Sequence, residues 1–261
     1  MRIRLYWDIV WFGFRQVAVY RSEVWVAIIT KIIRLAGVIF LWSVILKDPA
    51  VGHNFSTLLP YFLVADSIQV LVGGEWIRFG RQIIDEIKSG AINNHLLKPV
   101  HPIAYLYARF TGGRAIEISL SIITLTLGWI LFPPASPVSI LFFLLAVLIS
   151  VAVSFAFNVM VGNLAFWFTE ADGIKNGVSH IIRVFGGSMI PINFFSGYLK
   201  TLINNSPLPI FAFLPASILQ QGLGSENLRG LVVSLLWATA LIPISLMIWR
   251  KGVRRCEAIG I

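Results

Sequence analysis

Three ionisable residues stand where apolar sequence should exclude them. Lys31 and Arg34 lie inside the apolar run 24–46, and Asp66 lies near the middle of the run 57–77. A charge at that depth is expensive, so it marks a partner or a function. Lys31 and Arg34 are three residues apart and share a helix face. They fit a structural ion pair with Asp66, cations that snorkel to head groups, or a polar patch on a translocation path, and the sequence leaves all three open. Glu117 opens a third apolar run, three residues after Arg114, in the spacing of a local ion pair. His53, His95, His101 and His180 have no metal-binding spacing. His95 and His101 flank a proline corner with no Asp or Cys companion, and read as solvated loop residues rather than an active site. No G-x-x-x-x-G-K-S/T phosphate loop occurs, because Gly73-Gly74 and Gly112-Gly113 lack the Lys that must follow. If ATP is used, another chain binds it.

The elements that hold these residues are of membrane grade. Of 261 residues 57% are hydrophobic and 13% charged, and mean hydropathy is +0.82. Soluble domains carry about 25% charge, and they cannot bury apolar blocks this long. The net charge of +9 does not point to nucleic acid, because the Lys and Arg residues flank apolar blocks as the positive-inside rule expects. Cys256 is the only cysteine, which excludes an internal disulfide. Arg2, Arg4, Asp8 and Arg15 interrupt the first twenty residues, so no cleavable signal peptide is expected.

The pattern predicts an all-α, polytopic protein with one membrane domain over 1–261. Residues 2–22 read as an interfacial helix with Trp7, Val10, Trp11, Phe14 and Val17 on one face. The alternative is that they begin a long first span. Six spans are expected, at 24–46, 57–77, 115–132, 138–168, 177–192 and 231–249, the last kinked at Pro243. Lys47–Ser56 and Thr169–Asn176 read as loops, and Arg250–Ile261 as a basic tail. Residues 193–227, broken by Gly197, Pro207, Pro209 and Pro215, read as short extracellular or re-entrant helices. Cations crowd the N-terminal segment, residues 78–114 and the tail, and are sparse in the opposite loops. That bias puts both termini and residues 78–114 in the cytoplasm.

The segment 78–114 is too charged to cross a bilayer and too patterned for a slack linker. Phe79, Ile83, Ile84 and Ile87 form a helical stripe, with Arg81, Asp85, Glu86 and Lys88 opposite. Ser89-Gly90 should stop that helix, since glycine accepts the left-handed conformation of a C-terminal cap. Leu96-Leu97-Lys98-Pro99-Val100-His101-Pro102 then makes a stiff corner. From the residues alone, this segment either rests on lipid or docks a partner.

The run from Ser89-Gly90 to Leu96-Leu97-Lys98-Pro99 and Pro102 resembles a motif of ABC-2-type exporter permeases, a six-helix family without a fused ATPase domain. Phe166-Trp167 with Glu170, and Gly186-Gly187 with Ile190-Pro191, are similar as well. The resemblance covers nearly the whole chain. Asn93, Lys98, Ser196 and Tyr198 depart from the family's commoner Asp, Arg, Pro and Trp. The resemblance implies a non-catalytic permease in the cell membrane. It would pair with an identical or related permease, and two separate ATPase subunits would bind ATP and magnesium. Asp85, Glu86, Ile87, Lys88, Ser89 and Gly90, with Leu96, Leu97, Lys98 and Pro99, would couple to the ATPase. Phe194, Phe195 and Tyr198 cluster near the outer leaflet, where interfacial anchoring is the default reading and, with Pro191, an extracellular gate is the sharper one. The expected cargo is amphipathic, lipid-like, a drug or a peptide. The competing readings are a membrane enzyme acting on lipid-linked substrates and a non-transporting scaffold.

Overall fold

The computed structural model describes residues 2–19, 21–47, 55–73, 77–131 and 133–259. The loop expected around Pro49 and Gly52, with His53, lies outside them. Among the described residues there are twelve α-helices and no strand. Helix α1 (Arg2–Val19) precedes α2 (Arg21–Ile45) and α3 (Phe55–Leu71). The basic segment folds as α4 (Arg78–Lys88), α5 (Ile92–Leu96) and α6 (Pro102–Gly113). Then come α7 (Ala115–Leu131), α8 (Pro137–Asn163) and α9 (Ala171–Phe185). The short α10 (Gly197–Asn204) and α11 (Phe213–Gln221) lead to α12 (Ser225–Ile259).

Among the described residues, three helices are long and apolar enough to cross a membrane: Val24–Ile45, Pro137–Phe166 and Ser225–Arg255. The pair α6 and α7, bent by 61°, makes a fourth if it is one span. Helix α3 is apolar but shorter. Local chemistry explains where α8 begins. The Ser136 hydroxyl accepts a hydrogen bond from the Ser139 N–H at 3.2 Å, and Pro137 takes the first helical position. Its 27 residues make it about 40 Å long.

Helix α8 is the hub, and α4, α11 and α12 pack on it. Its buried positions include Ala146, Ser150, Ser154, Ala156, Asn158 and Gly162. Small side chains let backbones approach closely, which is how helices associate when lipid removes the hydrophobic drive. A Cβ on Gly162 would lie 2.7 Å from Ile83 Cβ, so α4 can cross α8 here only over glycine. Asn158 fastens the crossing. Its Oδ1 accepts from the Gly80 N–H at 2.9 Å, and its Nδ2 donates to the Ser154 carbonyl at 2.9 Å. Helices α3 and α7 pair through the hydroxyls of Ser67 and Thr124, 2.6 Å apart. Helix α1 lies on α6, where a Cβ on Gly112 would collide with the Val10 carbonyl. A small apolar cluster of Phe79, Ile83, Ile92, Ile103, Leu106, Val159 and Trp249 joins α4, α5 and α6 to α8 and α12.

Several helix ends differ from the sequence expectation. Helix α3 stops at Leu71 rather than near 77, because the chain turns at Gly73 (φ +69°) and again at Ile77 (φ +47°). A β-branched residue in the left-handed region is strained, and the complete burial of the Ile77 side chain holds it there. The expected loop Thr169–Asn176 is largely the first turns of α9, with Asp172 favourably placed at the positive helix terminus. Helix α9 ends at Phe185 instead of near 192, at the Gly186-Gly187 break. The expected tail after Trp249 continues α12, because Trp249 and Val253 pack on the small apolar cluster. Pro243 sits inside that helix without ending it.

Candidate functional site

Two places gather the residues that the sequence singled out. The first is the α4–α5 corner. Phe79, Ile83 and Ile84 are buried and Ile87 partly so, which turns the stripe inward. Asp85, Lys88, Ser89, Lys98 and Pro99 are exposed. Gly90 takes φ +71° directly after α4, as a helix stop requires. Leu96 is half-buried, but Leu97 is 86% exposed, an apolar side chain held out from a rigid corner.

A part-buried polar chain fastens this corner. Glu86 Oε2 lies 3.1 Å from His95 Nε2, and the other ring nitrogen of His95 lies 3.3 Å from Lys98 Nζ. The Lys98 ammonium stands 4.1 Å over the Tyr105 ring. His95 is therefore not a solvated loop residue: it is 7% exposed and ties α4 to α5 and α6. His101 does stay at the surface. Lys88 donates to Asp172 Oδ2 at 3.0 Å, joining α4 to α9. That bond holds the Asp172 carboxyl below the usual carboxylate range. Burial pushes the nearby Lys175 ammonium down, helped by Arg81.

The second place is an ion cluster among α2, α3 and α7. The two cations of α2 take one oxygen each of Asp66: Lys31 Nζ at 3.0 Å from Oδ2, and Arg34 at 2.9 Å from Oδ1. Lys31 also donates to Ser121 Oγ of α7 at 3.1 Å. Glu117 is not part of this trio. It pairs with Arg78, and with Arg114 Nε at 3.4 Å, while Arg114 also donates to the Val70 carbonyl. Glu117 nonetheless lines the same cavity of about 400 Å³ as Lys31 and Arg34, which Arg78, Ser121 and Arg183 complete.

Phe194 packs on Trp42 with ring centroids 4.6 Å apart, and Phe195 on Phe185 at 5.6 Å. Tyr198 is 82% exposed, and Pro191 is buried. Sequence reasoning also passed over Asn158, Ser121 and Arg183. A polar residue inside an apolar run was a signal for Asn158, but Arg183 and Ser121 gain meaning only from helix neighbours. Among the described residues, no three His, Cys, Asp or Glu side chains come together to hold a metal.

What the geometry offers is positioning and charge: a fixed corner with an apolar tip, and a polar pocket in an apolar helix array. No curated protein matches the chain in sequence. A family profile described as ABC-2 family transporter protein matches residues 32–260, which spans α3 to α12 and most of α2. The matched stretch includes the α4–α5 corner and, of the ion cluster, Arg34, Asp66 and Ser121, with Lys31 one residue before it. The chain belongs to the ABC-2 family of transporter proteins.

Proposed function

We propose that the chain is the permease subunit of an ATP-driven exporter, with ATP and magnesium bound by two separate ATPase subunits. A second permease, identical or related, completes the membrane domain. In this reading the chain spans the cell membrane six times with both termini in the cytoplasm. Helix α1 rests at the interface, and α10 and α11 lie toward the outside. Pro191, Phe194, Phe195 and Tyr198 sit on the exit side. The cargo is amphipathic.

The observation that carries this reading is the α4–α5 corner. Leu97 projects from it beside exposed Asp85, Lys88, Ser89 and Pro99. The corner is not free to fold away, because Asn158 bonds the α4 backbone to α8 and Glu86 bonds to His95. A partner that pushes on Leu97 pushes on α8. An isolated apolar side chain ringed by polar ones suits a groove in a soluble partner better than a lipid surface, which rewards a broad apolar face.

The test is Leu97→Asp in the full chain, co-purified with its ATPase. The side chain lies outside the core, so the helices should fold as before. Loss of the ATPase, or ATP hydrolysis that no longer drives transport, is the expected result. Normal association with normal coupling would remove the docking role from this corner.

A further inference from the structure

We infer that the cleft between α4 and α9 receives an acidic side chain of the partner ATPase, which pairs there with the Lys175 ammonium. The inference rests on the permease reading and adds a second contact to the α4–α5 corner.

The cleft measures about 540 Å³ and is lined by Arg78, Arg81, Gln82 and Asp85 of α4 and by Lys175 and Asn176 of α9. Lys175 is 5% exposed, and among the described residues its ammonium makes no hydrogen bond and no salt bridge. The groups that could hold it are engaged elsewhere. The two carboxylates that act on it are Asp172 and Asp85. Asp172 accepts from Lys88 at 3.0 Å, and Asp85 lies 3.8 Å from Arg81. Arg78, across the cleft, is bound to Glu117. A covered ammonium without an acceptor costs free energy until one arrives. Burial and Arg81 already push it down, and an incoming carboxylate would restore the charged form.

Two features decide what fills the place. All six lining residues are polar, whereas a lipid site needs an apolar wall for the tail. A carboxylate on a soluble partner needs none. Asp85 also belongs to both surfaces, lining the cleft and standing exposed at the corner that carries Leu97. A partner seated on Leu97 therefore continues into the cleft. Lys88 and Asp172 bridge α4 to α9, so a carboxylate on Lys175 would load both helices at once.

The test uses the full chain with the ATPase that co-purifies from its native host. A carbodiimide joins an amine to a touching carboxylate with loss of water, and mass spectrometry locates the amide formed. An amide between Lys175 and an Asp or Glu of the ATPase is expected. Lys175→Met retains an unbranched apolar stem, and should weaken association roughly tenfold and flatten its dependence on salt. Lys200→Met on α10 should do neither. Tight, salt-sensitive association of a folded Lys175→Met variant overturns the inference. So does the absence of the amide from an intact complex of the unaltered chain, a result that needs no variant to fold. A Lys175→Met variant that binds the ATPase normally but retains less phosphatidylglycerol in nanodiscs makes the cleft a lipid site, and overturns the inference as well. If no ATPase associates with the unaltered chain, the permease reading fails and takes this contact with it. If Leu97→Asp abolishes coupling while Lys175→Met changes nothing, the corner stands and the cleft alone fails.

Discussion

Helices α8 and α2 are both apolar enough to cross a membrane, yet they are held in opposite ways. Of their most apolar windows, 39% is buried in α8 and only 6% in α2. Helix α8 is fixed by shape: small residues, a glycine crossing and one asparagine that bonds a neighbouring backbone. Helix α2 is nearly bare, and its polar attachments include Lys31 and Arg34 on Asp66, Lys31 on Ser121, and the Trp42 indole donating to the Met189 carbonyl at 3.1 Å. Shape-based packing holds one arrangement, because close-packed backbones have few alternatives. Charge-based attachment at a few points leaves most of a helix surface available for lipid or another chain.

The largest expected effect tests the charged side. Asp66→Leu removes the carboxylate that Lys31 and Arg34 share, a loss of about 3–5 kcal/mol when one partner of a buried pair is removed. Denaturant unfolding in detergent should show it, and neutralising Lys31 and Arg34 together in the same variant should restore most of it. A loss near zero for Asp66→Leu alone would mean that packing holds α2 after all. The shape side is tested by Asn158→Ala, which strands the Gly80 N–H under α4 and should cost about 1–3 kcal/mol. A smaller loss would mean that the glycine crossing suffices. The smallest effect is at Lys88–Asp172, whose side chains are 36% and 40% exposed. A double-mutant cycle there should give less than about 1 kcal/mol. The Asp172 carboxyl is lowered by Lys88, so this coupling is present above the ordinary carboxylate range and is lost as pH falls through the lowered value. A large coupling at that exposed pair would undo the distinction between buried and surface charge on which the comparison rests.

Much of the helical plan is legible in the sequence, because apolar runs and their breaks are local signals. The Ile83–Ile84 stripe and the Gly90 stop follow from helix periodicity and from the backbone freedom of glycine. The ends of α3 and α9 do not, because Ile77 and Asp172 are placed by burial and pairing with distant helices. His95 shows the same limit. Its loop position suggested solvent, and only the approach of α4 to α5 supplies Glu86. In the ion cluster, Lys31, Arg34 and Asp66 stand out by type alone. Ser121 and Arg183, which complete the cavity, are unremarkable until four helices meet.

The contact between α1 and α6 has a consequence for biosynthesis. Val10 and Gly13 meet Gly112 and Gly113, so roughly a hundred residues separate the two sides of that crossing. At bacterial or eukaryotic elongation speeds the ribosome needs about 5–20 s to supply α6 after α1 has emerged. Through that interval α1 lacks the helix that provides most of its packing. Trp7, Trp11 and Phe12, still 47–68% exposed in the finished fold, give the nascent helix a foothold at the lipid boundary while it waits.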